Sequence, residues 1–209
     1  MKKNLGWPLL LMLVLALSRW PGLLPPNFSA VYAIAFCAGV YFPGVMAWWL
    51  PLATFLVTDV LISLFFYDGQ GADSVGHFLL KQSGNYVGYL VLISLGRSLG
   101  AKRSWLTLVL GGVLGSILFY LVTNAASWLI LPYPRTLLGL LRAMTTGLPD
   151  WPTTLEMFRN TLLGGGLFTG MFVAVAKISA AAESPREKEA PAPAAEPVPA
   201  DDEPEEAKA

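Results

Sequence analysis

An all-α, polytopic transmembrane helix bundle of about six spans is the fold class this sequence predicts, on three observations. Of 209 residues, 55% are hydrophobic and only 13% are charged, where a soluble domain carries about 25% charged residues. The mean hydropathy is +0.56. Neither Trp20–Thr58 nor Ser104–Pro134 contains an Asp, Glu, Lys or Arg, and uncharged apolar runs beyond about 20 residues are long enough to cross a bilayer.

The first element lies in MKKNLGWPLLLMLVLALSRWPG. Lys2 and Lys3, the apolar run and Ala16-Leu17-Ser18 have the form of a secretory signal with its cleavage site. The same run, from Trp7 to Trp20 with an aromatic residue at each end, has the form of a short transmembrane helix. The retained helix is favoured because it makes the number of spans even. Further spans follow at about Ala30–Tyr41, Ala47–Phe66, Asn85–Leu99, Trp105–Leu131 and Leu155–Ser179, with Pro43-Gly44 turning the second directly into the third.

Two connections are long. Tyr67–Gly84 is rich in Gly and Asp and is expected as an outer loop holding His77. Pro132–Thr154 contains RTLLGLLRAMTTGLP, where Leu137, Leu138, Leu141, Met144 and Leu148 recur at helical spacing and Gly147 and Pro149 supply a stop. This predicts a short amphipathic helix on the outer face, lying on lipid or over the bundle as a lid. Residues 180–209 hold three basic and nine acidic residues in an Ala/Pro/Glu-rich stretch. With almost no branched apolar side chain, such a segment cannot offset its ordering entropy. We expect a disordered, solvating tail after a transmembrane domain of residues 1–179.

The basic residues sort by side. Lys2, Lys3, Arg97, Lys102, Arg103 and Lys177 fall on the side of the N-terminus; Arg19, Lys81, Arg135 and Arg142 lie opposite, together with Asp68, Asp73 and Asp150. The positive-inside bias places both termini in the cytoplasm.

Asp59 interrupts the apolar run ATFLVTDVLIS. Twelve residues after Ala47, it lies roughly 18 Å into its span, past the middle of a core about 30 Å thick. Asn124 falls near the outer end of its span, Asn85 and Tyr86 open theirs from outside, and Arg159 and Asn160 lie just inside the last. The polar side chains thus share the outer half of the bundle, which predicts an outward-facing polar pocket; an intramembrane carboxylate is by default a functional candidate. The competing expectation is that Asp59 pairs with Arg159 as packing, while Asn124 and Asn160 bond neighbouring helices. Small residues recur at four-residue spacing at Ala35/Gly39, Gly111/Gly115 and Gly166/Gly170/Ala174. Such faces let helices approach closely, and Ala35/Gly39 is the candidate face for docking another membrane subunit.

Cys37 and His77 are the only residues of their types, so neither a chain-internal disulfide nor a His-rich metal site can be built. No HExxH, GxSxG or paired-carboxylate motif occurs, and Gly164-Gly165-Gly166 lacks the Lys-Ser/Thr of a phosphate loop. We expect no enzyme, no metal or other cofactor, and no nucleic-acid partner.

The segments PPNFSAVYAIAFCAGVYFP, TDVLI, LFYLVTNAASWL, YPRTLLGLL and FRNTLLGGGLF resemble an uncharacterised bacterial membrane family, a domain of unknown function. That family is itself similar to the substrate-binding S components of energy-coupling-factor (ECF) vitamin transporters. The resemblance runs from about Pro25 to Ala176 and is carried by Pro26, Asn27, Phe28, Gly39, Asp59, Thr123, Asn124, Trp128, Tyr133, Pro134, Thr136, Gly139, Asn160 and Thr161. It implies a six-helix bundle in the bacterial cytoplasmic (inner) membrane, with an outward pocket for one small molecule. It also implies docking to a transmembrane coupling subunit tied to cytoplasmic ATPases. Asn27 and Trp128, at matching positions, complete a candidate ligand-binding set of Asn27, Asp59, Asn85, Tyr86, Asn124, Trp128, Arg159 and Asn160. The expected function is substrate capture for a transporter; the alternative is a structural or assembly subunit of a larger membrane complex.

Overall fold

The computed structural model describes residues 6–66, 75–149 and 151–189. They form α1 (Gly6–Ser18), α2 (Val31–Tyr41), α3 (Met46–Phe66), α4 (Val75–Leu99), α5 (Trp105–Ile130), α6 (Leu137–Met144) and α7 (Thr154–Glu189), and no strand occurs among the described residues. The chain divides into two compact units, Met1–Ala176 and Lys177–Ala209. The second holds the C-terminal end of α7, which runs ten residues beyond the Ser179 expected from sequence; residues 190–209 of the expected tail lie outside the described residues.

The first unit is built round α2. Every residue from Val31 to Val40 is buried, and α1, α3, α4 and α5 pack against this helix. A helix covered on all sides needs no polar face, which accounts for the uninterrupted apolar run VYAIAFCAGV. Its 11 residues rise about 16 Å, roughly half the hydrocarbon thickness. Among the described residues, three helical segments are long and apolar enough to cross a membrane: Met46–Phe65, Trp105–Ile130 and Thr154–Ala180. Their most apolar windows are only 28%, 33% and 33% buried. Leu56, Val57, Leu61 and Leu64 on α3 and Leu110 and Leu114 on α5 point outward. So large an exposed apolar surface is untenable in water and natural in lipid.

α2 and α4 meet backbone to backbone. A Cβ at Gly39 would stand 2.1 Å from the Ile93 carbonyl oxygen, and one at Gly96 would stand 2.1 Å from the Phe36 carbonyl oxygen. Ala35 is wholly buried beside them. The small-residue face expected to dock a partner is therefore filled from within the chain. α4 also begins ten residues earlier than expected, so 75–84 are helical rather than loop; 67–74 and the side chain of His77 lie outside the described residues.

The expected short helix is α6. Thr136 caps it, its Oγ1 accepting a hydrogen bond from the Gly139 amide at 3.1 Å. Gly139 and Ala143 are buried where α6 packs on α5, while Leu137, Leu138 and Leu141 are exposed. The leucines face away from the bundle, as an interfacial helix requires and a lid does not.

Candidate functional site

The buried carboxylate of Asp59, 3% exposed, is held by two elements. Arg19, the first residue after α1, pairs through Nη2 with its Oδ1. The Tyr86 hydroxyl on α4 donates to its Oδ2 at 2.9 Å. Each partner lessens the penalty of an ion in a dry interior, which a lone carboxylate would meet by taking up a proton. Arg19 itself is positioned by the start of α2: Ser18 Oγ accepts from the Ala30 amide at 3.1 Å and lies 3.1 Å from Ser29 Oγ. The second guanidinium nitrogen, Nη1, is buried and makes no hydrogen bond among the described residues.

This ion pair forms part of the wall of a cavity of about 690 Å³, a volume in the range that holds one small molecule. It is lined by the segment joining α1 to α2, by Val31 and Tyr32 of α2, by α3, α4, α5 and α7, and by Trp151 and Pro152 just before α7. Aromatic rings dominate the floor. Phe119 meets Tyr32 edge-on with centroids 4.9 Å apart and stacks on Tyr89 at 5.3 Å, while Tyr120 stacks on Phe158 at 4.1 Å. Asn27, Asn85, Asn124 and Thr123 add polar groups. Asn27 adopts φ 60°, a left-handed conformation that asparagine tolerates better than most residues.

The structure divides the predicted site residues into three groups. Asn27, Asp59, Asn85 and Asn124 line the cavity, and Tyr86 reaches it through Asp59. Arg159 and Asn160 do not face Asp59. They line an adjoining recess of about 420 Å³ with Glu156, and this recess shares Pro25, Pro26, Pro152 and Met157 with the cavity. There Asn160 Nδ2 donates to the Pro26 carbonyl at 2.8 Å, and Arg159 Nε lies 3.4 Å from Asn160 Oδ1. The Asp59–Arg159 pair of the competing expectation is thus replaced by Asp59–Arg19. Sequence reasoning counted Arg19 only as a charge on one side of the membrane. A count along the chain offers a signal: Arg19 lies thirteen residues after the start of α1 at Gly6 and Asp59 thirteen after the start of α3 at Met46, and α1 packs against α3.

Trp128 forms the third group. Its Nε1 donates to the Pro134 carbonyl at 2.8 Å, and Arg135 donates to the carbonyls of Trp128, Leu129, Leu131 and Tyr133 at the end of α5. Gly139 belongs to the same corner, since a Cβ there would meet the Pro134 oxygen at 1.9 Å. Trp128 is therefore a latch on the α5–α6 corner and not a wall of the cavity. Trp128→Phe, which loses one exposed hydrogen bond, should lower stability by about 0.5–1.5 kcal/mol and leave small-molecule binding unchanged. Melting and binding measurements on the same preparation check both; weakened binding at unchanged stability would return Trp128 to the site.

The chain belongs to a family of unknown function (DUF6580), whose model matches residues 1–187. The match takes in α1, beyond the Pro25–Ala176 over which the resemblance was read. No curated protein and no solved structure matches the chain.

Proposed function

We propose that this member of the family is a substrate-capture subunit of a transporter, similar to an ECF S component. On this reading six helices, α1–α5 and α7, form a bundle in the bacterial inner membrane with both termini in the cytoplasm. The cavity opens outward to receive one small molecule. The single observation that carries the reading is the 690 Å³ cavity, with a buried ion pair in its wall, set in a helix bundle whose outer surface is apolar. A bundle needing only to pack would be expected to fill such a space with side chains. The chain has no nucleotide-binding motif, so the energy of transport would come from a transmembrane coupling subunit and cytoplasmic ATPases.

The second reading, a structural or assembly subunit of a larger membrane complex, is favoured by the exposed apolar faces of α3 and α5. Native mass spectrometry of the protein, released from mild detergent, separates the two. Substrate capture is expected to give a reproducible adduct of one small molecule per chain, lost on mild activation. Co-purification with other membrane subunits and no adduct would favour the assembly reading.

A further inference from the structure

The cavity wall specifies a charge class for its occupant. Resting on the capture reading above, we infer that the cavity takes an uncharged aromatic molecule bearing an amide- or lactam-type group, a carbonyl acceptor beside an N–H donor.

Charge comes first. Among the described residues of the wall, Arg19 and Asp59 are the only ionised side chains, and they pair with each other. The second Asp59 oxygen is taken by Tyr86. An anionic ligand would meet no uncompensated cation and a cationic one no free carboxylate, and either would lose its hydration on entering. An uncharged ligand avoids that loss.

Hydrogen bonding comes next. Asn124 Nδ2 is committed to the Tyr120 carbonyl at 2.8 Å, and Asn85 Nδ2 to Gln82 Oε1. Each amide therefore keeps its Oδ1 and one remaining N–H to offer, an acceptor beside a donor that an amide-type group on a ligand matches. Thr123 likewise donates to the Phe119 carbonyl at 2.9 Å and keeps lone pairs. Beside these amides stands the Arg19 guanidinium, which interacts with Asp59 and with the Tyr89 hydroxyl and whose Nη1 makes no hydrogen bond among the described residues. A buried charged donor of this kind calls for a carbonyl oxygen or a water. The wall thus asks for both a donor and an acceptor on one molecule. The rings of Tyr32, Tyr89, Phe119, Tyr120 and Phe158 offer faces and edges to a flat body.

Benzamide, benzoate and benzamidine are nearly the same size and differ in charge and in which hydrogen bonds they make. Their dissociation constants for the full-length protein in nanodiscs can be measured by ligand-observed NMR, beside Asn124→Leu, which removes that amide's acceptor and donors at similar volume. We expect benzamide to bind about tenfold more tightly than either ion, the scale of one mismatched polar contact, and to lose that advantage in Asn124→Leu. Equal binding of all three, or benzamide binding that ignores Asn124, would overturn the inference. Tighter, Asn124-dependent binding of benzoate or benzamidine would also overturn it while leaving the capture reading intact. Failure of all three probes, with no adduct in native mass spectrometry, would remove both.

Discussion

Asp59→Asn is expected to destabilise the detergent-solubilised protein by about 3–5 kcal/mol, the usual effect of breaking a buried pair by removing one partner. The substitution keeps the shape of the side chain and its bond from Tyr86. It takes away the charge that compensates the Arg19 guanidinium, whose side chain is 14% exposed against 2% for that of Asp59. The stranded cation, and not the lost contact itself, makes the effect large. Asp59→Asn combined with Arg19→Gln should therefore recover much of the loss, whereas Asp59→Asn combined with Arg159→Gln should recover none, because Arg159 lines the adjoining recess. Thermal melting of the three variants in one detergent reads this directly. Rescue by Arg159→Gln would restore the competing Asp59–Arg159 pairing and displace the one seen in the structure. A single variant that melts like the wild type would mean that water reaches the pair and screens it.

Much of this was legible in the sequence. Each expected span and the short helix fall on a helix of the structure, three of them long and apolar enough among the described residues to cross a membrane, because uncharged apolar runs bounded by Pro, Gly and charge leave little choice of where a helix begins and ends. α4, which begins ten residues early, and α7, which ends ten residues late, are the exceptions, and the error at α4 has a cause. Gly84 and its polar neighbours read as a loop, yet a Cβ at Gly84 would lie 2.6 Å from Ala126 Cβ, as one at Gly88, inside the expected span, would lie 2.5 Å from Phe119 Cδ2. These glycines are there so that α4 can lie close on α5, a tertiary demand that propensity does not display. The buried setting of Asp59 was legible as well, but its partner was not. Hydrophobicity gives position along a helix and says little about which helices are neighbours; α1 beside α3 had to come from the fold. Trp128 and Asn160 were misread for a related reason. Both bond to backbone carbonyls of distant or looped segments, Pro134 and Pro26, and no side-chain pattern announces such an acceptor.

Gly39→Ala should be among the most damaging single-methyl changes in the bundle. Its new Cβ would lie 2.1 Å from the Ile93 carbonyl oxygen, where real Cβ atoms essentially never come within 3.0 Å. The obstacle is backbone, so no rotamer change relieves it, and α2 and α4 must separate by about 1 Å. That gap runs past Phe36, Leu92 and Ile93, all fully buried, and close-packed side chains lose dispersion contact steeply as a gap opens. We expect a loss of about 3 kcal/mol, the upper range for overpacking. Gly96→Ala, across the same interface, should cost a similar amount. The double variant should lose less than the sum, since one separation relieves both clashes. Gly166→Ala is the control: its Cβ would meet only Val113 Cγ2, at 3.4 Å, and stability should change by less than about 1 kcal/mol. The same experiment decides what the Ala35/Gly39 face is for. If the face packs α2 on α4, Gly39→Ala lowers the melting temperature of the isolated protein. If it docks a partner subunit, the isolated protein melts unchanged and only assembly suffers, and the α2–α4 contact described here is wrong.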